Sequence, residues 1–321
     1  MRALTARQGR CLTIAGTLLL ALLADPFAAS GGPLVNGDVL VTDPSGIVSV
    51  DPSSGATSLF SPINALDVDS GAGAVYATSG NSVLRIDPRT GVATTVSSGG
   101  FLSSLQGPLA VARNGDVFVI TRPPFGFTQL VRISGSTGEQ TLLFTDPGPG
   151  FFFIDVSVGP DGKVFVGTQF GFLYKVDPDT GAAQSLGDID HTKALDADSD
   201  GALAVVHSFH LNYAGIEFPF CCDGAIGWDG SGPSDITWGL HKDVFFTSDL
   251  GLFHLEGSPI PALTNISTDL HGRLTLFIPN PGSLVFLLLG IAFAIGTERF
   301  AKSRFARPGP IQPQARPQRG R

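Results

Sequence analysis

The chain has 321 residues, with 41 Gly, 23 Pro, only 15% charged residues and a formal charge of −8 at neutral pH. That much Gly and Pro excludes a mainly helical protein, because both residues interrupt helix interiors, while 43% hydrophobic residues exclude a globally disordered chain. The acidic balance leaves no basic footprint for nucleic acid.

In chain order, Arg2, Arg7 and Arg10 come first, then an apolar run from Leu12 to Leu23, then the small residues Ala28, Ala29 and Ser30. A positive start, a short apolar run and a small-residue exit predict a secretory signal peptide over 1–30. The charge is uneven as well. Residues 31–296 hold 10 of the 20 basic residues and 26 of the 28 acidic ones, so this body carries −16, while the stretch from Thr297 carries +6.

The body, 31–277, repeats. GDVLVT at Gly37–Thr42 recurs as AVYAT at Ala74–Thr78, GDVFVI at Gly115–Ile120, KVFVGT at Lys163–Thr168 and DVFFTS at Asp243–Ser248. A second unit follows, as in LRIDPRTGVATT at Leu84–Thr95 and YKVDPDTGAAQS at Tyr174–Ser185. Its glycines fall at Gly55, Gly91, Gly138 and Gly181, spaced 36, 47 and 43 residues apart. Periods of about 40–45 residues are those of propeller blades. Alternating β-branched and aromatic runs bounded by Asn-Gly, Asp-Gly or Asp-Pro-x-Thr-Gly turns predict two hairpins per repeat. The expected fold is an all-β propeller of six blades with four antiparallel strands each, flanked by an N-terminal signal helix and a C-terminal transmembrane helix. The first repeat lacks an innermost strand, and Leu274–Ile278 is placed to supply it. Asn212–Asp223 reads as an insertion.

Asp67, Asp155, Asp196 and Asp235 hold matching places at or near the innermost strands, close to one mouth of the channel. Converging carboxylates repel one another, so either a hard cation such as Ca²⁺ neutralises them or each orders its own turn through local backbone N–H groups. Asp196-Ala-Asp198-Ser-Asp200-Gly201 opens like a calcium loop, although His207 stands where that loop needs Glu. The alternative is a plain hairpin turn at Asp200-Gly201. Cys221 and Cys222 are the only cysteines left after the signal, and in an oxidising compartment they are candidates for a vicinal disulfide or free thiols. The body has three Glu, at 139, 217 and 256, and no Ser/His/Asp set can be assembled by spacing, so the enzyme question leans to no. Most of the 24 Phe are expected between blades, with part of Phe151–Phe153 as an exposed patch.

GPLAVARNGDVFV at Gly107–Val119 and IDVSVGPDGKVFVGT at Ile154–Thr168 resemble NHL-type propeller repeats, and the YKVDPDTGAA hairpin is similar to those of other six-bladed families, including the gluconolactonase group. These resemblances imply the fold, and the second implies, as an alternative function, a metal-dependent lactonase or lyase.

At the C-terminus, Leu284–Ile295 reads LVFLLLGIAFAI between Pro279-Asn280-Pro281 and the cations Arg299, Lys302, Arg304 and Arg307. This is a short apolar span whose basic flank stays cytoplasmic. The string at 278–304 resembles a PEP-CTERM sorting tail, with Asn280 where that family usually has Glu, and a basic Pro-rich disordered tail follows at 305–321. The resemblance implies that Pro279, Asn280, Pro281 and Arg299 form a sorting motif read by an exosortase-type membrane protease. The expectation is an exported binding or structural module at a bacterial cell envelope or matrix, with exopolysaccharide or surface proteins as partners and no nucleic acid.

Overall fold

The computed structural model describes residues 33–277 apart from 125, 149–151, 189–191, 198–199, 208–209, 214–215, 220–234, 239–243, 249–250, 257–261, 268–269 and 271–272. The predicted signal peptide and sorting tail, Asp198, Cys221, Cys222, Pro279, Asn280, Pro281 and Arg299 lie outside these residues. No helix among the described residues is long and apolar enough to cross a membrane. They contain one 3-10 turn, Gly100–Ser104.

The first strands are β1 (Val39–Asp43), β2 (Gly46–Val50) and β3 (Thr57–Ser61). The second sheet is β4 (Asp67–Gly71), β5 (Ala74–Ser79), β6 (Ser82–Ile86) and β7 (Ala93–Ser98). The third is β8 (Leu105–Val111), β9 (Val117–Thr121), β10 (Gln129–Ile133) and β11 (Gln140–Thr145). The fourth is β12 (Phe153–Val158), β13 (Val164–Thr168), β14 (Phe172–Val176) and β15 (Ala183–Asp188). The fifth is β16 (Thr192–Ala197), β17 (Leu203–His207), β18 (His210–Tyr213) and β19 (Ile216–Pro219). The sixth is β20 (Asp235–Trp238), β21 (Val244–Ser248), β22 (Gly251–Glu256) and β23 (Ala262–Ser267). Finally β24 (Leu274–Leu276) pairs antiparallel with β1, Val39 facing Leu276 and Val41 facing Leu274, and completes a four-stranded sheet of order β24-β1-β2-β3. The described residues thus form a β-propeller of four-stranded antiparallel sheets.

The expected insertion at Asn212–Asp223 is corrected in its first half. Asn212 and Tyr213 end β18, and Ile216–Pro219 is β19, with Asn212 facing Glu217 in a regular ladder. The HLNY and IEFP runs are only four residues each, the first mostly polar and the second ending in Pro, which hid a hairpin of ordinary strands.

Period-two alternation explains the packing. Val39 and Val41 meet Phe245 and Leu252 of the sixth sheet, whereas Leu40 between them meets Val68 and Val75 of the second. In β9, Val117 and Val119 face the second sheet while Phe118 and Ile120 face the fourth. These strands are apolar throughout because both faces are covered, as in other doubly buried sheets. An apolar cluster fills each junction between successive sheets, including the one between the sixth and the first. The innermost strands close a ring in the order β4, β8, β12, β16, β20, β24 and back to β4. The outer ladder carries a bulge in five sheets, which adds the twist that turns the outer strand away from the axis.

The turns between third and fourth strands, Asp-Pro-x-Thr-Gly or Ser-Gly-Ser-Thr-Gly, tie one sheet to the next. In the second sheet Asp87 accepts the N–H groups of Arg89 and Thr90, and Gly91 donates its own to the Asp87 carbonyl. The Ser61 hydroxyl of β3 then donates to the Gly91 carbonyl, and Ser97 of β7 does the same to Gly138 of the third sheet, both at 2.8 Å.

Candidate functional site

Each sheet begins its innermost strand at the same end of the ring. The loops between second and third strands open at that end too, while the hairpin and Asp-Pro-x-Thr-Gly turns lie at the other. Asp67 and Asp235 open β4 and β20, Asp155 is the third residue of β12, just past an irregularity in its ladder, and all three are buried. Each sends Oδ2 to the next innermost strand: Asp67 accepts the Leu109 N–H at 2.8 Å, Asp155 that of Leu195 at 2.7 Å and Asp235 that of Leu274 at 2.7 Å. Asp therefore alternates with Leu around the mouth, and every other strand is tied to its successor by a carboxylate.

Asp196 departs from the expected match. Leu195 occupies the ring place in its strand, and Asp196 stands one residue further on. There it accepts from the Ser157 hydroxyl and the Ala197 N–H on one oxygen, and from the Trp238 N–H and Thr237 hydroxyl on the other. Asp200 lies beyond the far end of β16, in the turn with Gly201 (φ +87°), opposite the mouth. Asp200 is therefore not brought to the set formed by Asp67, Asp155 and Asp235. Among the described residues no group of three or more His, Cys, Asp or Glu has a metal-holding arrangement.

Two members of the site escaped the sequence reading. Asp69, two residues beyond Asp67 on the same strand face, accepts the Val111 N–H at 2.7 Å and the Thr275 hydroxyl at 2.8 Å. Period two from Asp67 was the available clue. Arg273, immediately before β24, places Nη1 3.0 Å from Asp235 Oδ1 and 3.4 Å from Asp155 Oδ1. It is one of only ten basic residues in the body and stands at the start of the closing strand, which was its only mark in the sequence.

A cavity of about 350 Å³, open solvent at its mouth included, is lined by Asp67, Asp155, Ser157, Asp196, Asp235 and Thr237 among others. Burial pushes the Asp69 and Asp155 carboxyls up to about 7 and Asp196 to about 6, and it raises Asp67 and Asp235 as well. Arg273 opposes the rise at Asp67, Asp155 and Asp235. Burial disfavours the Arg273 cation, but the carboxylates of Asp235, Asp155 and Asp67 outweigh that and hold its proton more tightly than usual.

Apolar side chains are exposed in several places, Val92 in a far-end turn and Leu142 and Leu186 on outer strands among them, and four stand on the mouth face. Leu66 in the loop into β4, Phe127 between β9 and β10, and Phe170 between β13 and β14 are 48%, 46% and 46% exposed, and Phe101 in the loop before β8 is exposed too. Backbone contacts link their loops: Leu66 donates to Thr78, whose hydroxyl donates to Gly107, Arg122 donates to Ser104, and Gln169 donates to Phe152. The Arg122 guanidinium lies 3.9 Å from the centre of the half-buried Phe152 ring. Phe153, by contrast, is core, stacked on Phe144 with ring centres 5.4 Å apart. Phe60, Phe118 and Phe246 are fully buried between sheets.

The three Glu of the body stand away from the mouth. Glu139 is in a far-end turn, Glu217 is on the outermost strand β19, and Glu256 ends β22.

No protein-family model matches the chain, and no curated protein does. Solved structures do. One is from the nidogen/laminin complex, 14% identical over 75% of this chain and 98% of that one, with a TM-score of 0.59. Streptogramin B lyase is 16% identical over 78% and 88%, with a TM-score of 0.53. TolB from Acinetobacter baumannii is 14% identical over 82% and 70%, with a TM-score of 0.52. At these identities the likeness is one of fold, a β-propeller shared by binding modules and enzymes alike.

Proposed function

We propose that the chain is an exported, NHL-like six-bladed propeller that acts as a binding or structural module at a bacterial cell surface or in an extracellular matrix, delivered by its signal peptide and sorted by its PEP-CTERM-like tail. The observation that carries the module reading is the state of the channel carboxylates. Both oxygens of Asp67, Asp69, Asp155, Asp196 and Asp235 are engaged, by inter-strand N–H groups, neighbouring N–H groups and hydroxyls, or Arg273. Carboxylates so committed suit a scaffold better than a general acid or base, which needs an oxygen within reach of substrate.

Binding then falls to the exposed arc of Leu66, Phe101, Phe127 and Phe170 on the mouth face. Leucine and phenylalanine carry no polar atom for sugar hydroxyls, so a surface protein fits this arc better than exopolysaccharide. The test is retention of the full chain in washed envelope or matrix fractions. Leu66→Asp/Phe127→Asp should wash out while keeping the wild-type unfolding midpoint, and retention equal to wild type contradicts the reading. A chain truncated before Pro279 should be exported but released to the medium. If it partitions as the full chain does, the sorting reading fails.

A further inference from the structure

We propose that Arg273 is the resident cation of the channel mouth and the latch that holds the ring shut. The closing strand is short: β24 is three residues long and meets β1 through three residue pairs. It is nevertheless tied on every side. Arg273 donates its N–H to the Thr42 hydroxyl and accepts the Thr42 N–H on its carbonyl, which fixes it to the first sheet. Leu274 donates to Asp235 of the sixth sheet, Thr275 donates to Asp69 of the second, and the Ser70 hydroxyl donates to the Leu276 carbonyl.

The guanidinium reaches further than any of these. From the start of β24 it contacts not only Asp235 on the adjacent β20 but also Asp155 on β12, which is not a neighbour of β24 in the ring. The charged groups facing it are Asp235, Asp155 and Asp67. Its backbone partner is the uncharged Thr42 on β1. One cation at the focus of three buried carboxylates does what a bound metal would do there, and it arrives covalently attached to the strand that closes the ring. Its side chain is 24% exposed, against 6% and 8% for Asp155 and Asp235, so it caps the mouth from the solvent side. Taking away one partner of such a pair leaves uncompensated buried charge, whereas neutralising both sides does not.

The latch is tested on the full chain by urea unfolding and by amide hydrogen exchange at residues 274–277. Arg273→Gln should raise the unfolding equilibrium constant by about a hundredfold and speed exchange across β24 before the remaining sheets. The charge-balanced variant Arg273→Gln/Asp155→Asn/Asp235→Asn should recover much of the midpoint, and it decides the matter even if Arg273→Gln does not fold. Added Ca²⁺ should leave the wild-type midpoint unmoved. The proposal is overturned if Arg273→Gln unfolds and exchanges like wild type, or if the charge-balanced variant is no more stable than Arg273→Gln. Stabilisation of the wild type by Ca²⁺ would overturn it too, by showing that a metal serves as the cation.

Discussion

Asp155 and Asp196 carry the same side chain with different duties. Asp155 divides its oxygens between the Leu195 N–H and a cation, while Asp196 is held by hydroxyls and N–H groups alone. Removing the Asp196 side chain as Asp196→Ala leaves the N–H of buried Trp238 without its acceptor, so it should destabilise by about 1–3 kcal/mol in urea unfolding. The channel also fixes a pH dependence. Asp69 and Asp155 rise from 3.8 to about 7, and Asp196 rises to about 6, because burial disfavours their charged forms. Between those values the folded state binds more protons than the unfolded one, so these groups stabilise fully below pH 3.8 and their contribution is lost as pH rises toward 7. The half-buried turn residues Asp51 and Asp177 do the opposite at lower pH. They are held at about 2, Asp51 by the Ser53 hydroxyl and Asp177 by Lys163, so the stability they add is full above 3.8 and is lost as pH falls from there through about 2. Urea midpoints should therefore be higher at pH 5 than at pH 8, and Asp69→Asn should flatten that slope. A midpoint that rises from pH 5 to pH 8 contradicts the buried-carboxylate picture.

At the scale of elements, the repeat turns show why their glycines recur. Gly138 and Gly181 have φ of +73° and +71°, and an added Cβ would lie 2.3 Å from the Val96 carbonyl oxygen and 2.5 Å from that of Leu143. Each turn presses on the outer strand of the preceding sheet. Gly162 has a similar φ of +75° with open space around its Cβ position. Gly162→Ala should cost about 1–2 kcal/mol for the left-handed backbone alone, and Gly138→Ala should cost more, because backbone must move. Equal thermal shifts for the two would show that the inter-sheet contact adds nothing. These turns were legible in the sequence because their Asp or Ser, Thr and Gly residues, and Pro at Pro178, each act locally. The β18–β19 hairpin was not, because His210–Tyr213 and Ile216–Pro219 lack a repeated turn string and owe their pairing to β17 beside them.

Over the whole molecule, the ring was readable in outline and its closure in part. The missing innermost strand of the first repeat and the apolar run at Leu274 pointed to each other, and the two ends do pair. The electrostatics of the axis were not readable. Arg273 and Asp155 are 118 residues apart, and only ring closure makes them partners. The same holds for the exposed arc, since Leu66, Phe127 and Phe170 belong to different sheets and share only a face. The central claim is a division of labour, in which the channel holds the ring together and the mouth face binds. It is tested most directly by comparing Asp155→Asn with Leu66→Asp/Phe127→Asp for both unfolding midpoint and retention in the washed envelope fraction. The account predicts that Asp155→Asn, which keeps an acceptor for Leu195 but drops the charge, changes the midpoint and its pH slope and is retained like wild type, whereas the arc variant keeps its midpoint and is lost. An Asp155→Asn chain that folds with wild-type stability yet loses retention would make the channel the working site and contradict the account.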